Sequence, residues 1–331
     1  MTLAKITTKV ALTCAAFGAV AWGGLRFSTR LPDAGPRPKP SDDAESNLPI
    51  ELALQRHVQR LADGIGERND RKPEALQEAC DYVADEFGRA GLRVTVDRYD
   101  IGRALGNVVA DVDEPRGGRE ILLVSAPYDS PAGSPGAESS ASAVAAMIEV
   151  ARLLRNGGQP RALRFLAYAY GHQPMEDGSN GRRFSLRRML GRGDEIGLEL
   201  QLESLGAWNG PRPQNLPFPW STILPSRSDY LLLCGGFDAR APLLEFATRM
   251  RAQGRIPVEG ISGPAFWPAL GFSDRVSVLE QGPPCIVAGD TGRWRHPDAG
   301  GAMDRAEAID SQGMARAVVA IAGAIGPRLE L

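Results

Sequence analysis

Residues 125–150 read SAPYDSPAGSPGAESSASAVAAMIEV, and the order of residue types within them decides the fold class. The apolar run 121–125 has the length and β-branched content of a buried strand. It ends in the turn Tyr128-Asp129-Ser130 and passes into a loop of Gly, Ser and Pro. Small residues then open a helical pattern over 141–154. Strand, glycine-rich loop and helix N-terminus in that order are the start of a parallel βαβ unit.

Outward from this unit, helical and strand patterns alternate. Helices are predicted over 50–62, 73–90, 184–192, 242–253 and 310–325, and strands over 93–99, 107–112, 164–169, 198–205, 230–234 and 285–288. The alternation predicts an α/β domain: three αβα layers with a central mixed, mostly parallel sheet. A chain of 331 residues, 43% of them hydrophobic, suffices for one such core. The net charge of −2 gives no electrostatic footprint for nucleic acid. Cys80, Cys234 and Cys285 are too scattered for a metal or disulfide motif and read as small buried hydrophobes, while Cys14 lies in the N-terminal apolar run.

At the N-terminus, Lys5 and Lys9 precede an apolar run over 10–25, and Arg26 and Arg30 follow it. A basic flank before an early apolar run is read by export machinery. Residues 1–27 are therefore expected to be a signal anchor or a signal peptide cleaved near Ala19-Val20-Ala21, and both readings stay open. Either one, as an N-terminal apolar helix, places the body on the periplasmic side of the inner membrane. Pro32, Pro36, Pro38 and Pro40 mark 28–48 as an extended linker, with the folded body over 49–331.

The motif Tyr128-Asp129-Ser130, Gly133-Ser134, Gly136-Ala137, Ala141-Ser142 resembles the M28 aminopeptidase family, whose pattern here is His-x-Asp-Ser followed by Gly-Ser-x-Gly-Ala-x-Asp-Asn-Ala-Ser-Gly. Further segments in the same order extend the resemblance from Pro49 to the C-terminus: Ile65-Gly66-Glu67-Arg68, Asn107-Val108-Val109-Ala110, Phe165-Leu166-Ala167-Tyr168, Leu202-Glu203-Ser204-Leu205-Gly206, Phe272-Ser273-Asp274 and Gly289-Asp290-Thr291. The resemblance implies a zinc exopeptidase-like fold and a co-catalytic zinc site, in which a bridging carboxylate, two histidines and two further carboxylates hold two cations about 3.5 Å apart.

Carried over position by position, most of that ligand set is missing. The first histidine falls on Pro127, the bridging aspartate on Ser139, the general base on Gly171 and the last histidine on Gly300. One carboxylate ligand has become His172, and Glu203 retains its capacity to coordinate. One imidazole and one carboxylate do not hold two mutually repelling zinc ions. The expectation is therefore a catalytically degenerate domain with no cofactor, binding a peptide or protein partner through the vestigial cleft. An active zinc aminopeptidase with an atypical ligand set is the alternative, with His172, Glu203 and His296 as a mononuclear site. A glutaminyl cyclase-like reaction on one zinc is a third reading and also requires positions 139 and 300.

Asp129, left without a histidine to orient, is expected to cap a turn, and Asp290 is expected to line the cleft. Ser139 and Ser142 lie in no G-x-S-x-G elbow, which argues against a serine nucleophile. Arg182, Arg183, Arg187, Arg188 and Arg192 read as the solvated face of an amphipathic helix. Trp208, Trp220, Trp267 and Trp294 occupy Pro/Gly-rich loops, where contact with a ligand and ordinary packing are equally expected.

Overall fold

The computed structural model describes residues 44–98, 106–112, 120–156, 158, 161–172, 180–208, 210–263 and 282–326, with 30–32 and scattered positions between 13 and 24. Most of the N-terminal segment and its linker, Cys14, Trp267 and Phe272-Ser273-Asp274 lie outside the described residues. Among the described residues no helix is long and apolar enough to cross a membrane.

In chain order the elements are α1 (Ala44–Val58), α2 (Pro73–Arg89), β1 (Arg93–Arg98), β2 (Gly106–Asp111), β3 (Ile121–Pro127), α3 (Ser142–Leu154), β4 (Ala162–Tyr168), α4 (Gly181–Gly191) and β5 (Ile196–Leu202). They continue with β6 (Gly210–Pro213), α5 (Trp220–Ile223), β7 (Arg227–Ser228), β8 (Leu231–Gly236), α6 (Arg240–Ala252), β9 (Val258–Gly263), β10 (Cys285–Gly289) and α7 (Ser311–Ile325). Eight strands form one sheet in the order β1-β2-β4-β3-β5-β10-β8-β9. Its middle strands β4, β3, β5 and β10 run parallel, β8 and β9 run parallel at one edge, and β1 and β2 are antiparallel at the other. The sheet is mixed and mostly parallel, as the alternation of patterns predicts.

Strand alternation divides the core into two faces. Leu122, Val124 and Ala126 of β3 and Leu198, Leu200 and Leu202 of β5 join the large cluster under α1, α2, α3, α6 and α7. Leu123 points to the opposite face and packs with Leu166, Leu186 and Met189 beneath α4. A third cluster, around Trp220, Leu232 and Val287, fills the far end of that second face. The chain crosses from β3 out to β4 and returns past β3 to β5, so the connections diverge at β3. In open α/β sheets the ligand crevice forms beyond the strand C-termini at such a switch point. Pro127, Tyr168, Leu202 and Gly289 end the strands there.

Three expectations need correction, and one open alternative is decided. The helix predicted to begin at Ile50 begins at Ala44, inside the expected linker. Arg30 also forms a bridge with Ile261, and Leu31 is buried above Gly260, where a Cβ would lie 2.2 Å from Leu31 Cδ1. Arg182 is buried, with its guanidinium on Glu199, whose carboxylate also accepts from Ser125 Oγ at 2.6 Å. Only the other described arginines of α4 face solvent, wholly or in part. Trp208 and Trp220 are core residues, the first with its indole N–H on Leu205 O at 2.6 Å, and the structure gives them no exposed surface for a ligand.

The loops at the switch point close around Arg68, which is fully buried. Its guanidinium donates to the carbonyls of Tyr128 (2.7 Å), Leu61 (3.1 Å), Gly66 (3.0 Å), Pro135 (2.6 Å) and Gly136 (3.2 Å), and to Ser140 Oγ (3.2 Å). Two wide helical turns, Gln59–Ile65 and Ala137–Ala141, present these groups through bonds spanning five residues, Gly66 N–H to Leu61 O and Ala141 N–H to Gly136 O. Burial lowers the guanidinium to about 10, so it remains a cation at neutral pH. Arg68→Met would strip donors from several buried carbonyls, each costing about 1–3 kcal/mol. A loss of more than about 3 kcal/mol in urea unfolding is expected, and a loss below 1 kcal/mol would refute the assignment.

Candidate functional site

The positions that the M28 resemblance assigns to metal ligands and base lie together at the strand ends. Pro127 closes β3, and Ser139 sits in the wide turn that opens α3. Gly171 and His172 follow β4, Glu203 follows β5, and Gly300 lies in the loop after β10. Carboxylates gripping backbone amides hold them there.

Asp129 accepts from the N–H groups of Gly171 (2.9 Å) and His172 (3.0 Å) and so fixes the loop after β4. Asp304 accepts from the N–H groups of Glu138 (2.6 Å), Ser139 (3.1 Å) and Gly300 (2.8 Å), which joins the bridging-aspartate position to the last-histidine position. Asp290 accepts from the N–H groups of Ala207 (2.6 Å) and Gly292 (2.7 Å). Glu203 Oε1 accepts from Gln201 Nε2 at 2.5 Å.

The site does not fit the family's metal. A Cβ added at Gly171 would lie 2.7 Å from Pro127 Cβ, 3.0 Å from Tyr168 Cε2 and 3.1 Å from Asp129 Oδ1. Pro127 therefore occupies the space that a side chain at 171, the position the M28 resemblance assigns to the general base, would require. Gly300 sits at φ +79°, a left-handed conformation that a histidine adopts only with strain. Among the described residues no three His, Cys, Asp or Glu side chains are grouped as metal ligands, so His172, Glu203 and His296 do not assemble the mononuclear alternative. Nε2 of His296 is buried and accepts no hydrogen bond.

Two features of this region escape the sequence reading. Glu138, adjacent to the bridging position, is fully buried and accepts from Gly206 N–H at 2.9 Å. Burial first, then the negative charge of Asp290, raises its carboxyl well above its ordinary 4.5, and Asp290 is raised as well, chiefly by burial. Both shifts favour the protonated form, Glu138 the more strongly because the charge of Asp290 adds to its burial. Arg295 lies close by, its guanidinium on Ala207 O (3.2 Å) and Tyr230 O (2.7 Å). An acid inside an otherwise small and apolar segment was the available signal for Glu138; Asp304 gave none.

The second feature is strain. Tyr170 and Thr291, both non-glycine, adopt left-handed φ of 57° and 76°. One precedes Gly171 and the other follows Asp290. Such conformations cost of the order of 1–3 kcal/mol each and cluster at ligand clamps and active sites.

Comparison with known proteins agrees with this geometry. The sequence model of Peptidase family M28 matches residues 107–175, which run from β2 to just past Gly171-His172. An Escherichia coli (strain K12) protein described as "Uncharacterized protein YfbL" is 27% identical over 280 residues, covering 80% of this chain and 84% of that one. The Legionella pneumophila LapA aminopeptidase superposes with a TM-score of 0.62 at 14% identity, over 91% of this chain and 77% of its own. The Tannerella forsythia glutaminyl cyclase does so with a TM-score of 0.57 at 17% identity, over 88% of this chain and all of its own. The fold is the zinc exopeptidase-like, M28-like αβα fold.

Two outcomes follow from the packing and the acid pair. Gly171→Ala should cost about 1–3 kcal/mol by overpacking, and less than half of that in a Pro127→Gly background. Additive losses in the double-mutant cycle would contradict direct contact between the two positions. For the acid pair, the sign follows from linkage: an acid whose pKa rises on folding holds its proton more tightly when folded. Its contribution is fully present below the ordinary 4.5 and is lost as pH climbs toward the raised value. Glu138→Gln keeps a neutral donor and acceptor at every pH. Its melting temperature relative to wild type should therefore rise steadily as pH increases from about 4.5. A difference that stays flat or falls with pH would show that Glu138 is ionised in the folded protein.

Proposed function

We propose that this chain is a catalytically degenerate M28-like domain that binds a peptide or protein partner at its vestigial cleft. The observation that carries the reading is the contact between Pro127 and Gly171. It removes one ligand and the general base at once and fills the volume the base would need. Without a base to take a proton from the attacking water, amide hydrolysis loses a contribution of about 10²–10⁴-fold even where a metal is present.

Binding draws support from what the cleft retains. The left-handed backbones of Tyr170 and Thr291 flank the site, and such conformations cluster at ligand clamps. Met303, 62% exposed, precedes Asp304 in the loop after β10 and offers flexible apolar surface. The partner is proposed to lie outside the cytoplasm, since basic flank and apolar run at the N-terminus read as an export signal that can hold the body at the membrane.

The test combines metal, turnover and capture. Protein exposed to zinc and then desalted should carry well under one zinc per chain by elemental analysis. Release of amino acids from N-terminal amide substrates should not exceed that of Glu203→Ala. Stoichiometric zinc together with Glu203-dependent turnover would overturn the proposal. A partner captured from native membranes by the wild type should be lost with Met303→Asp, a rim substitution that leaves the core untouched.

A further inference from the structure

Away from the cleft, the C-terminal ends of α1, α2 and α3 surround a second concavity of about 580 Å³. It is separate from the vestigial site, because α3 begins beside Ser139 and delivers Arg152 in its last turn. Thirteen residues at about 1.5 Å each place the two some 20 Å apart. Five arginines converge on it: Arg56, Arg60, Arg89, Arg152 and Arg155.

Helix C-termini attract cations, and Arg155 does donate to Arg152 O at 3.1 Å. Capping and internal pairing nevertheless leave the charge unbalanced. Buried Glu86 is shared by Arg56 (3.5 Å), Arg152 (3.4 Å) and Arg89. Buried Glu149 meets Arg152 at 3.5 Å, and Glu78 at the exposed rim takes Arg60 at 2.6 Å. Three carboxylates thus face five guanidiniums.

The floor is rigid. Nδ1 of the fully buried His57 lies 2.6 Å from Tyr82 Oη and its Nε2 lies 3.0 Å from Glu149 Oε1. In the neutral ring the Tyr82 hydroxyl donates to Nδ1 and Nε2–H donates to Glu149. Arg60 rests over the Tyr82 ring, 5.9 Å from its centroid. Burial raises the Tyr82 hydroxyl to about 12, so it keeps its proton across the neutral range.

We propose that this pocket binds a compact, multiply charged phosphate-bearing ligand, gripped by arginines around Tyr82, whose hydroxyl is held from behind by buried His57 and Glu149. Guanidinium forks match phosphate oxygens in pairs, and arginines approaching from separate helices can engage several oxygens of one group. The volume falls in the range of small-ligand sites and exceeds what a single inorganic phosphate fills. It suits a diphosphate, or a phosphate carrying a small organic group. That chemistry has two sources, a soluble phosphorylated molecule and an anionic lipid headgroup. The proposal is independent of any reading of the vestigial cleft.

The experiment uses the full chain with inorganic pyrophosphate in titration calorimetry, and with phosphatidylcholine vesicles with and without phosphatidylglycerol in a flotation assay. Arg60→Ala/Arg155→Ala removes two guanidiniums that do not pair with Glu86, and Arg249→Ala on α6 serves as a distant control. Circular dichroism checks the fold, and the single Arg60→Gln and Arg155→Gln variants replace the double one should it misfold. The expected result is pyrophosphate binding that the double variant weakens at least tenfold and the control leaves unchanged. Phosphatidylglycerol-dependent flotation lost in the double variant, without pyrophosphate binding, would identify a lipid headgroup as the source. No binding of either probe, or binding that is equal in wild type and double variant, would overturn the proposal.

Discussion

The switch-point end of this molecule depends on a single desolvated cation. Arg68 is enclosed by carbonyls from the turn after α1, from the end of β3 and from the glycine-rich loop, so these segments share one centre. No carboxylate touches the guanidinium directly; Asp129 and Asp304 favour its charge from nearby. Burial alone would disfavour the charge, and the ring of carbonyls offsets that. The consequence is geometric: the first loop of the site has its path set from inside before any side chain faces the cleft.

Around that cation the site is organised by carboxylates that bind amides. Asp129, Asp290 and Asp304 each take two or more backbone N–H groups, and between them they tie the loops after β3, β4, β5 and β10 into one frame. In a metal centre the ion would supply much of that cross-linking. Here carboxylates join the loops directly, and the acids Glu138 and Asp290 lie buried beneath them.

The strands of the central sheet were legible because β3, β4 and β5 are short apolar runs of the right length, bounded by turn residues. β9 was not, since Val258-Glu259-Gly260-Ile261-Ser262-Gly263 places two glycines in six residues and reads as loop; pairing with β8 and the docking of Leu31 are tertiary facts. The β6–β7 hairpin spans an irregular, proline-containing stretch and failed for the same reason. At the site, the family resemblance singled out Pro127, Gly171 and Gly300, and the structure sets them at the strand ends. What these positions touch was invisible, because a clash between residues 44 apart in sequence leaves no local pattern. Arg182 misled the helical reading: an arginine in a basic run looks solvated until a buried acid on the neighbouring strand, Glu199, is known.

The contact between Pro127 and Gly171 has a consequence for the routes open to this sequence by single changes. Any side chain larger than hydrogen at 171 meets the proline, while replacing Pro127 alone restores neither the base nor the remaining ligands. The two positions are therefore coupled: a side chain at 171 is accommodated more easily once Pro127 has changed, and the order in which the two change alters what each costs. Residues far apart in sequence thus constrain each other's variation through one packing contact.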